Sequence, residues 1–379
     1  MTSRVVLAGG GTSGHVLPAL AIAESLVDLG VPTNDILYVG ATRGIENRLV
    51  PESGLRLETL DVTGLQRSFS PKNVLRNLGF LPRLVRARRR ARTLLRDFRA
   101  DVVVSVGGYA SLPAVLAARS LGVPIVVVSY DRRPGRSSEI SARWATRCAV
   151  AFPDSTLPRA VHTGAPVRRA IRLVDRDRDR DRARDRLGVP RESFFVAVMG
   201  GSLGSGALND AVRAFVGEFS SDPGIHVRHV AGERFVDGVR TSMSSLLSDA
   251  DRRIGYDVVG YEPDMASVYA AADLLVARGG AGTVAEVAVT GVPAILAPWS
   301  GAADDHQTAN VAWLADEGAA VLVADQAGPD SLARVMDELR RDPVRRHSLG
   351  ERAHALGDLN RRGAVARLVL DVALGVETK

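Results

Sequence analysis

Cysteine is nearly absent from the 379-residue chain, where Cys148 stands alone. One thiol forms no internal disulfide and completes no structural zinc site, which suits a reducing compartment; a small buried apolar role is the plain expectation for it. Aromatic residues are scarce at 5%, so the stacking platforms that single-stranded nucleic acid needs have little to build on. No apolar run reaches the roughly 18 residues of a membrane span, and the opening stretch Arg4 to Gly14 is too short and too glycine-rich for a signal peptide. Export is therefore not expected. No two histidines have the i,i+4 spacing of a zinc-binding helix. Net charge is also small: 49 basic against 43 acidic residues leave +6, a mild attraction to something anionic.

Hydrophobic residues, by contrast, make up 46% and charged residues 24%, the balance of a globular protein with substantial cores. The length favours two domains. Short β-branched runs alternate with alanine-rich amphipathic segments from end to end, the rhythm of βαβ units around parallel sheets, so the fold class is α/β. Candidate strands are Arg4 to Ala8, Ile36 to Gly40, Asp101 to Val106, Pro124 to Ser129 and Cys148 to Phe152, then Phe194 to Met199, His226 to Val230, Asp273 to Ala277, Pro293 to Ala297 and Ala319 to Val323. The two series are separated near Gly164, followed by an alternating Asp and Arg run from Asp175 to Arg186. That run is expected to be a solvated connector or exposed helix face with no part in a core. Its spaced aspartates superficially resemble a metal pair, but neighbouring arginines would compete with the cation. The spacing of Val365, Leu368, Val369 and Val372 predicts a last helix over Ala364 to Leu374.

Three glycine turns carry the chemistry. The first strand runs into Gly9-Gly10-Gly11-Thr12-Ser13-Gly14-His15, which formally contains G-x-G-x-x-G. Glycines let the backbone approach a ligand, and free amides at a helix start favour negative charge. A dinucleotide dehydrogenase would also need an acid at the end of the second strand to hold a ribose. Here that strand ends in Gly40-Ala41-Thr42-Arg43, with no acid before Glu46, which counts against it. His15 at a helix N-terminus is biased toward its neutral form, as a general base requires; a loop histidine bonding backbone is the alternative. The second turn, Gly200-Gly201-Ser202-Leu203-Gly204-Ser205-Gly206, and the third, Arg278-Gly279-Gly280-Ala281-Gly282-Thr283, each follow a strand. Two helix starts on one sheet edge can together hold a diphosphate. Glu286, a turn into the third helix, is placed to accept both hydroxyls of a ribose, or simply to complement the helix dipole. Asp304-Asp305-His306-Gln307-Thr308-Ala309-Asn310 offers groups suited to sugar hydroxyls, or a helix cap. No metal is required.

Lys72 to Arg99 holds nine arginines, one lysine and one acid around Leu75, Leu78, Phe80, Leu81, Leu84 and Val85. Such a segment suits an anionic membrane surface, a nucleic acid, or an ordinary solvated helix face, and the missing aromatics count against nucleic acid.

Taken together, these residues resemble the MurG family of N-acetylglucosaminyltransferases over nearly the entire chain. The resemblance rests on Gly10 through Pro18, on Gly40 through Gly44-Ile45-Glu46 with Leu49-Val50-Pro51, and on Gly107-Gly108-Tyr109-Ala110-Ser111-Leu112-Pro113. It continues in Gly164-Ala165-Pro166-Val167-Arg168, Gly200-Gly201-Ser202, Gly280-Ala281 with Thr283 and Glu286, and Asp305 through Asn310. It implies a GT-B fold of two Rossmann-like domains facing across a cleft: residues 1–163 on the acceptor and membrane side, 164–360 for the UDP-sugar, and a C-terminal helix in 361–379 crossing back onto the first. It further implies an inverting, metal-independent transfer of GlcNAc from UDP-GlcNAc to lipid I in peptidoglycan synthesis, by an enzyme without cofactor on the cytoplasmic face of the membrane. Its implied partners are that anionic surface and other cell-wall synthesis proteins.

Carried over by position, Ser202 and Arg168 contact phosphate, Glu286 the ribose, Gln307 and Asn310 the sugar, and backbone near Tyr261 the uracil. Thr12, Ser13, Gly14, Gly280, Ala281 and Thr283 complete the implied donor site. His15 and the Gly107-Gly108-Tyr109 turn belong to the acceptor side. The chain departs from the family at Val128-Ser129-Tyr130-Asp131, where His-Glu-Gln-Asn is usual, at Leu203 in place of glutamine, and at Gly279 in place of serine. Asp131 is thereby a second candidate for proton transfer beside His15. The alternatives are a related glycosyltransferase with another lipid or natural-product acceptor, a UDP-GlcNAc 2-epimerase, and a non-catalytic module that binds the precursor.

Overall fold

A computed structural model describes residues 3–62, 80–201, 203–248, 251, 253–302 and 305–376. Two parallel sheets organise the chain, each in its own unit. The first unit comprises Met1–Arg169 with Arg362–Lys379, the second Ala170–Arg361.

In the first unit the strands are β1 (Val5–Ala8), β2 (Ile36–Ala41), β3 (Arg56–Leu60), β4 (Val102–Ser105), β5 (Ile125–Ser129), β6 (Arg147–Val150) and β7 (Ala160–His162). They are ordered β3-β2-β1-β4-β5-β6-β7. Every residue of β1, β2, β4 and β5 is buried, as expected for strands covered by helices on both faces. One face packs on the helix Phe80–Phe98 through Ala87, Ala91, Leu94 and Leu95, and Cys148 lies in the same core. Burial pushes that thiol up to about 11, against the opposing pull of Arg159. The other face packs on the helix Ser13–Asp28 and on Ala364–Ala373, whose Val365, Leu368, Val369 and Val372 are buried there.

The second unit contains β8 (Phe194–Met199), β9 (Ile225–Val230), β10 (Gly255–Val259), β11 (Leu274–Ala277), β12 (Ala294–Leu296) and β13 (Val321–Leu322), ordered β10-β9-β8-β11-β12-β13. Its core joins β8, β9, β11 and β12 to the helices Gly206–Glu218 and Pro329–Arg341.

Local bonds explain why the division falls after Arg169 rather than at Gly164. Ala165 and Val167 are buried, the Arg169 amide donates to Glu24 Oε2 at 2.6 Å, and the Arg169 guanidinium pairs with Asp28. At the other end Arg361 donates to the Ala288 and Val289 carbonyls of the second unit.

The Asp and Arg run forms the helix Arg176–Leu187, which exposes Asp177, Arg178, Asp181, Arg182, Asp185 and Arg186 as the helix-face alternative expects; the departure is Arg184, which is fully buried. Arg184 donates to Asp273 at 2.6 Å and to the Pro190 and Ser193 carbonyls at 3.0 and 2.9 Å. Arg176 donates to the Tyr269 and Ala272 carbonyls. A guanidinium surrounded by carbonyls and a carboxylate satisfies its donors without water, so a charge run can pack as part of a core.

Candidate active site

In an open parallel sheet, ligands bind beyond the carboxyl ends of the strands, where the strand order reverses. In the first unit that point lies between β1 and β4. The turns leaving these strands approach so closely that a Cβ at Gly108 (φ +74°) would lie 2.7 Å from the Gly10 carbonyl. Hydroxyls of Ser111 and Ser137 both donate to the Gly108 carbonyl at 2.9 Å. Tyr109, 37% exposed, sets its ring beside Gly11.

His15 lies in the first turn of the helix Ser13–Asp28. Its Nδ1 is 3.1 Å from Thr12 Oγ1. With Nδ1–H donated to that hydroxyl, Nε2 keeps its lone pair as the proton-accepting nitrogen. Burial lowers the His15 pKa, with Asp131 and then Glu46 opposing. Asp131 is thus brought within electrostatic reach of His15. Tyr130, in edge contact with the imidazole at 6.5 Å between centroids, donates its hydroxyl to the Gly14 carbonyl at 2.6 Å. Burial, with Asp131 next, raises its pKa. Glu46 has no exposed surface and accepts the Gly11 and Ala41 amides. The sequence motifs mark Tyr130 as part of the acceptor-side segment that departs from the family and Glu46 as part of a matching one, but not their bonds to Gly14 and Gly11, which lie 116 and 35 residues away.

In the second unit the order reverses between β8 and β11, and the other two glycine turns leave these strands. Ser205 caps the helix Gly206–Glu218 by accepting the Leu208 amide. Arg278 donates to Ser205 Oγ at 2.7 Å, to Asp325 at 2.7 Å and to the Ala297 carbonyl at 2.9 Å, tying the two turns together. The helix Ala281–Thr290 starts at Gly280 with no side-chain cap, so the leading amides around Ala281 and Thr283 are those an anion would use. Gly279 is required by packing: a Cβ there would collide with Val311 and come within 2.9 Å of the Gln307 carbonyl.

Glu286 is half-buried and its Oε2 accepts the Tyr269 hydroxyl at 2.6 Å; no sequence signal marked Tyr269. Gln307 accepts the Trp299 amide through Oε1 at 2.9 Å, which turns its amide nitrogen away from that bond. Asn310 has no exposed surface and donates to the Gly279 carbonyl at 3.5 Å. Tyr261 is 62% exposed, whereas its neighbour Glu262 is buried against Arg228. Arg168 is half-buried at the end of the first unit. Ser202 and Asp304 lie outside the described residues, as do the side chain of Ser13 and residues 72–79 of the basic segment. Among the described residues no cluster of His, Cys, Asp and Glu is placed to hold a metal ion, and no helix is long and apolar enough to cross a membrane.

Comparison with known proteins agrees with this division. The glycosyltransferase family 28 N-terminal domain matches residues 5–150 and the family 28 C-terminal domain residues 195–362. A UDP-N-acetylglucosamine–N-acetylmuramyl-(pentapeptide) pyrophosphoryl-undecaprenol N-acetylglucosamine transferase of Paenarthrobacter aurescens is 40% identical over 97% of this chain and 95% of its own. The protein of that name from Mycobacterium tuberculosis is 39% identical over 98% and 89%. Among solved structures, MurG of Acinetobacter baumannii superposes with a TM-score of 0.75 at 27% identity, covering 97% of this chain and 99% of the other. With two family 28 domains on two parallel sheets the fold is of the GT-B class, and the chain belongs to the MurG family of glycosyltransferases.

Proposed function

We propose that this chain transfers N-acetylglucosamine from UDP-GlcNAc to the 4-hydroxyl of the muramyl sugar in undecaprenyl-pyrophosphoryl-MurNAc-pentapeptide, converting lipid I to lipid II in peptidoglycan synthesis. The observation that carries this reading is the 40% identity, spread over 97% of the chain, to a relative bearing that activity in its name. The site chemistry supports it. The acceptor hydroxyl attacks the anomeric carbon and gives its proton to Nε2 of His15, with Asp131 nearby to favour the imidazolium that forms. The bond from the anomeric carbon to the UDP oxygen breaks, and the configuration inverts. Charge developing on the diphosphate is met by the uncapped amides after Gly280 and by Arg168, and Glu286 holds the ribose. Preorganised donors of this kind act where charge develops, so the reaction as proposed needs neither metal nor cofactor.

The exposed arginines of the helix Phe80–Phe98, among them Arg86, Arg89 and Arg92, suit an anionic membrane at roughly 1 kcal/mol per basic residue near the surface. They support a peripheral position on the cytoplasmic face, where the lipid-linked acceptor is presented. A second reading, the same chemistry on another lipid-linked acceptor, is favoured by Tyr130, which occupies the unusual Val128–Asp131 segment and ties it to Gly14.

The deciding experiment incubates the full chain with UDP-GlcNAc and a short-chain lipid I analogue in the presence of EDTA. The expected product is the disaccharide lipid at an undiminished rate. Loss of turnover on chelation would overturn metal independence. Turnover without acceptor would point to a 2-epimerase, and tight donor binding without turnover to a precursor-binding module.

A further inference from the structure

Glu46 is a buried carboxylate that the proposed reaction does not use. It opens the helix Glu46–Glu52 just beyond β2. Its two oxygens lie 3.2 and 3.0 Å from the Gly11 amide, and Oε1 also accepts the Ala41 amide at 3.0 Å. Three glycines make room for it. A Cβ at Gly40 would stand 2.8 Å from its Cγ, and one at Gly10 or Gly44 would collide with the carboxylate. A glycine turn between a parallel strand and a helix ordinarily offers its amides to a ligand's phosphate. Here the Gly11 amide is already taken by an acid of the chain itself.

We infer that Glu46 is the positioning residue of the first half-site: it fills the anion seat of the Gly9 to Gly14 turn from inside and so fixes where Thr12 and His15 stand. The inference rests on His15 being the base of the proposed transfer. The consequence concerns the base. The groups facing His15 are Thr12 on its own turn, Tyr130 and Asp131 beyond β5, the Gly107–Gly108 backbone beyond β4, and Glu46 beyond β2. The two acids among them oppose the lowering of its pKa by burial, Asp131 more than Glu46.

The test is Glu46→Gln in the full chain, which keeps the shape, removes the charge and turns an NH2 toward an amide that needs an acceptor. The expected kcat falls roughly 10- to 100-fold, part of the ~10²–10⁴-fold that a positioned base supplies. The KM for UDP-GlcNAc changes less than about twofold, the mark of an interaction outside donor binding. Hydrogen exchange at the Gly11 amide accelerates, and the His15 midpoint, followed by NMR of labelled histidine, moves to lower pH. Glu46→Asp keeps the charge with a shorter reach, so it restores the midpoint while leaving Gly11 exchange fast. Should the Gln variant not fold, the Asp variant decides through amide exchange and kcat. Wild-type kcat with unchanged Gly11 exchange would overturn the inference, as would parallel losses in kcat and UDP affinity. If the wild-type chain does not glycosylate lipid I, the proposed function fails, yet exchange and titration need no acceptor and still decide the role of Glu46.

Discussion

The Tyr269 hydroxyl donates to Glu286 Oε2 across 2.6 Å, from a side chain with no exposed surface. Tyr269 lies on the helix Met265–Ala271 and Glu286 on Ala281–Thr290, so the bond sets the rotamer of the acid before any nucleotide arrives. A hydrogen bond to a charged group is worth about 1.5–3 kcal/mol, and part of that is expressed as preorganisation. Tyr269→Phe is therefore expected to weaken UDP binding by about tenfold, or ~1.4 kcal/mol, and to narrow the preference for UDP over 2′-deoxy-UDP. Calorimetry with both nucleotides checks this. Equal losses for the two would assign Tyr269 to holding the helices together instead of orienting the ribose acid.

His15 has its pKa lowered mainly by burial. A base must be neutral to accept a proton, and a depressed pKa keeps it neutral to lower pH. The acid limb of kcat is thus expected below the unperturbed histidine value of about 6.5. His15→Ala is expected to cost turnover ~10²–10⁴-fold while UDP affinity stays as it was. A pH series on both proteins decides, and an acid limb at or above the unperturbed value would remove His15 from the role.

The central strands and glycine turns were legible because each residue of β1 and β4 is buried on both sides, which demands an unbroken apolar run ending in a turn. The strands that went unseen, β3, β7 and β10, are sheet edges. Their residues are mostly half-exposed, so sequences such as Arg56-Leu57-Glu58-Thr59-Leu60 carry no such run. The buried arginine of the charge run is hidden from the sequence for a related reason. Whether Arg184 is solvated or buried depends on Asp273, 89 residues away, and local spacing contains no trace of it. In the candidate site, motif order identified His15 and Glu286. The groups that orient them, Thr12 aside, come from distant segments and emerge only in three dimensions.

Asp273 is the hub of that buried charge cluster, accepting from Arg184 at 2.6 Å, from Arg180 at 2.5 Å and from the Phe195 amide at 2.8 Å. Removing it leaves the fully buried Arg184 charge with backbone carbonyls but no carboxylate to balance it. Asp273→Ala is expected to destabilise the chain by about 3–5 kcal/mol, the cost of breaking a buried pair. Arg184→Met should cost less, because Asp273 keeps Arg180 and the Phe195 amide. Urea unfolding of the two variants tests the asymmetry, and a larger loss for Arg184→Met would contradict it.

His229, on β9, is 1% exposed and held at both nitrogens. Nε2 is 2.9 Å from Asn209 Oδ1, and Nδ1 is 2.8 Å from the Tyr256 hydroxyl. Asn209 Oδ1 only accepts, so Nε2 carries the hydrogen and Nδ1 accepts from Tyr256. That is a neutral imidazole with both positions used, and burial pushes its pKa down to about 4. The unfolded chain takes up a proton near 6.5, whereas the folded chain resists until about 4. Stability is therefore full above 6.5 and is lost as pH falls through this window. At 1.36 kcal/mol per unit the total is about 3 kcal/mol. His229→Gln removes the titrating group, so unfolding free energy measured across the window should fall less steeply than in the wild type. His15 and His354, also lowered by burial, keep some slope in the variant. A slope identical to that of the wild type would show that His229 takes up its proton in the folded state as readily as in the unfolded one.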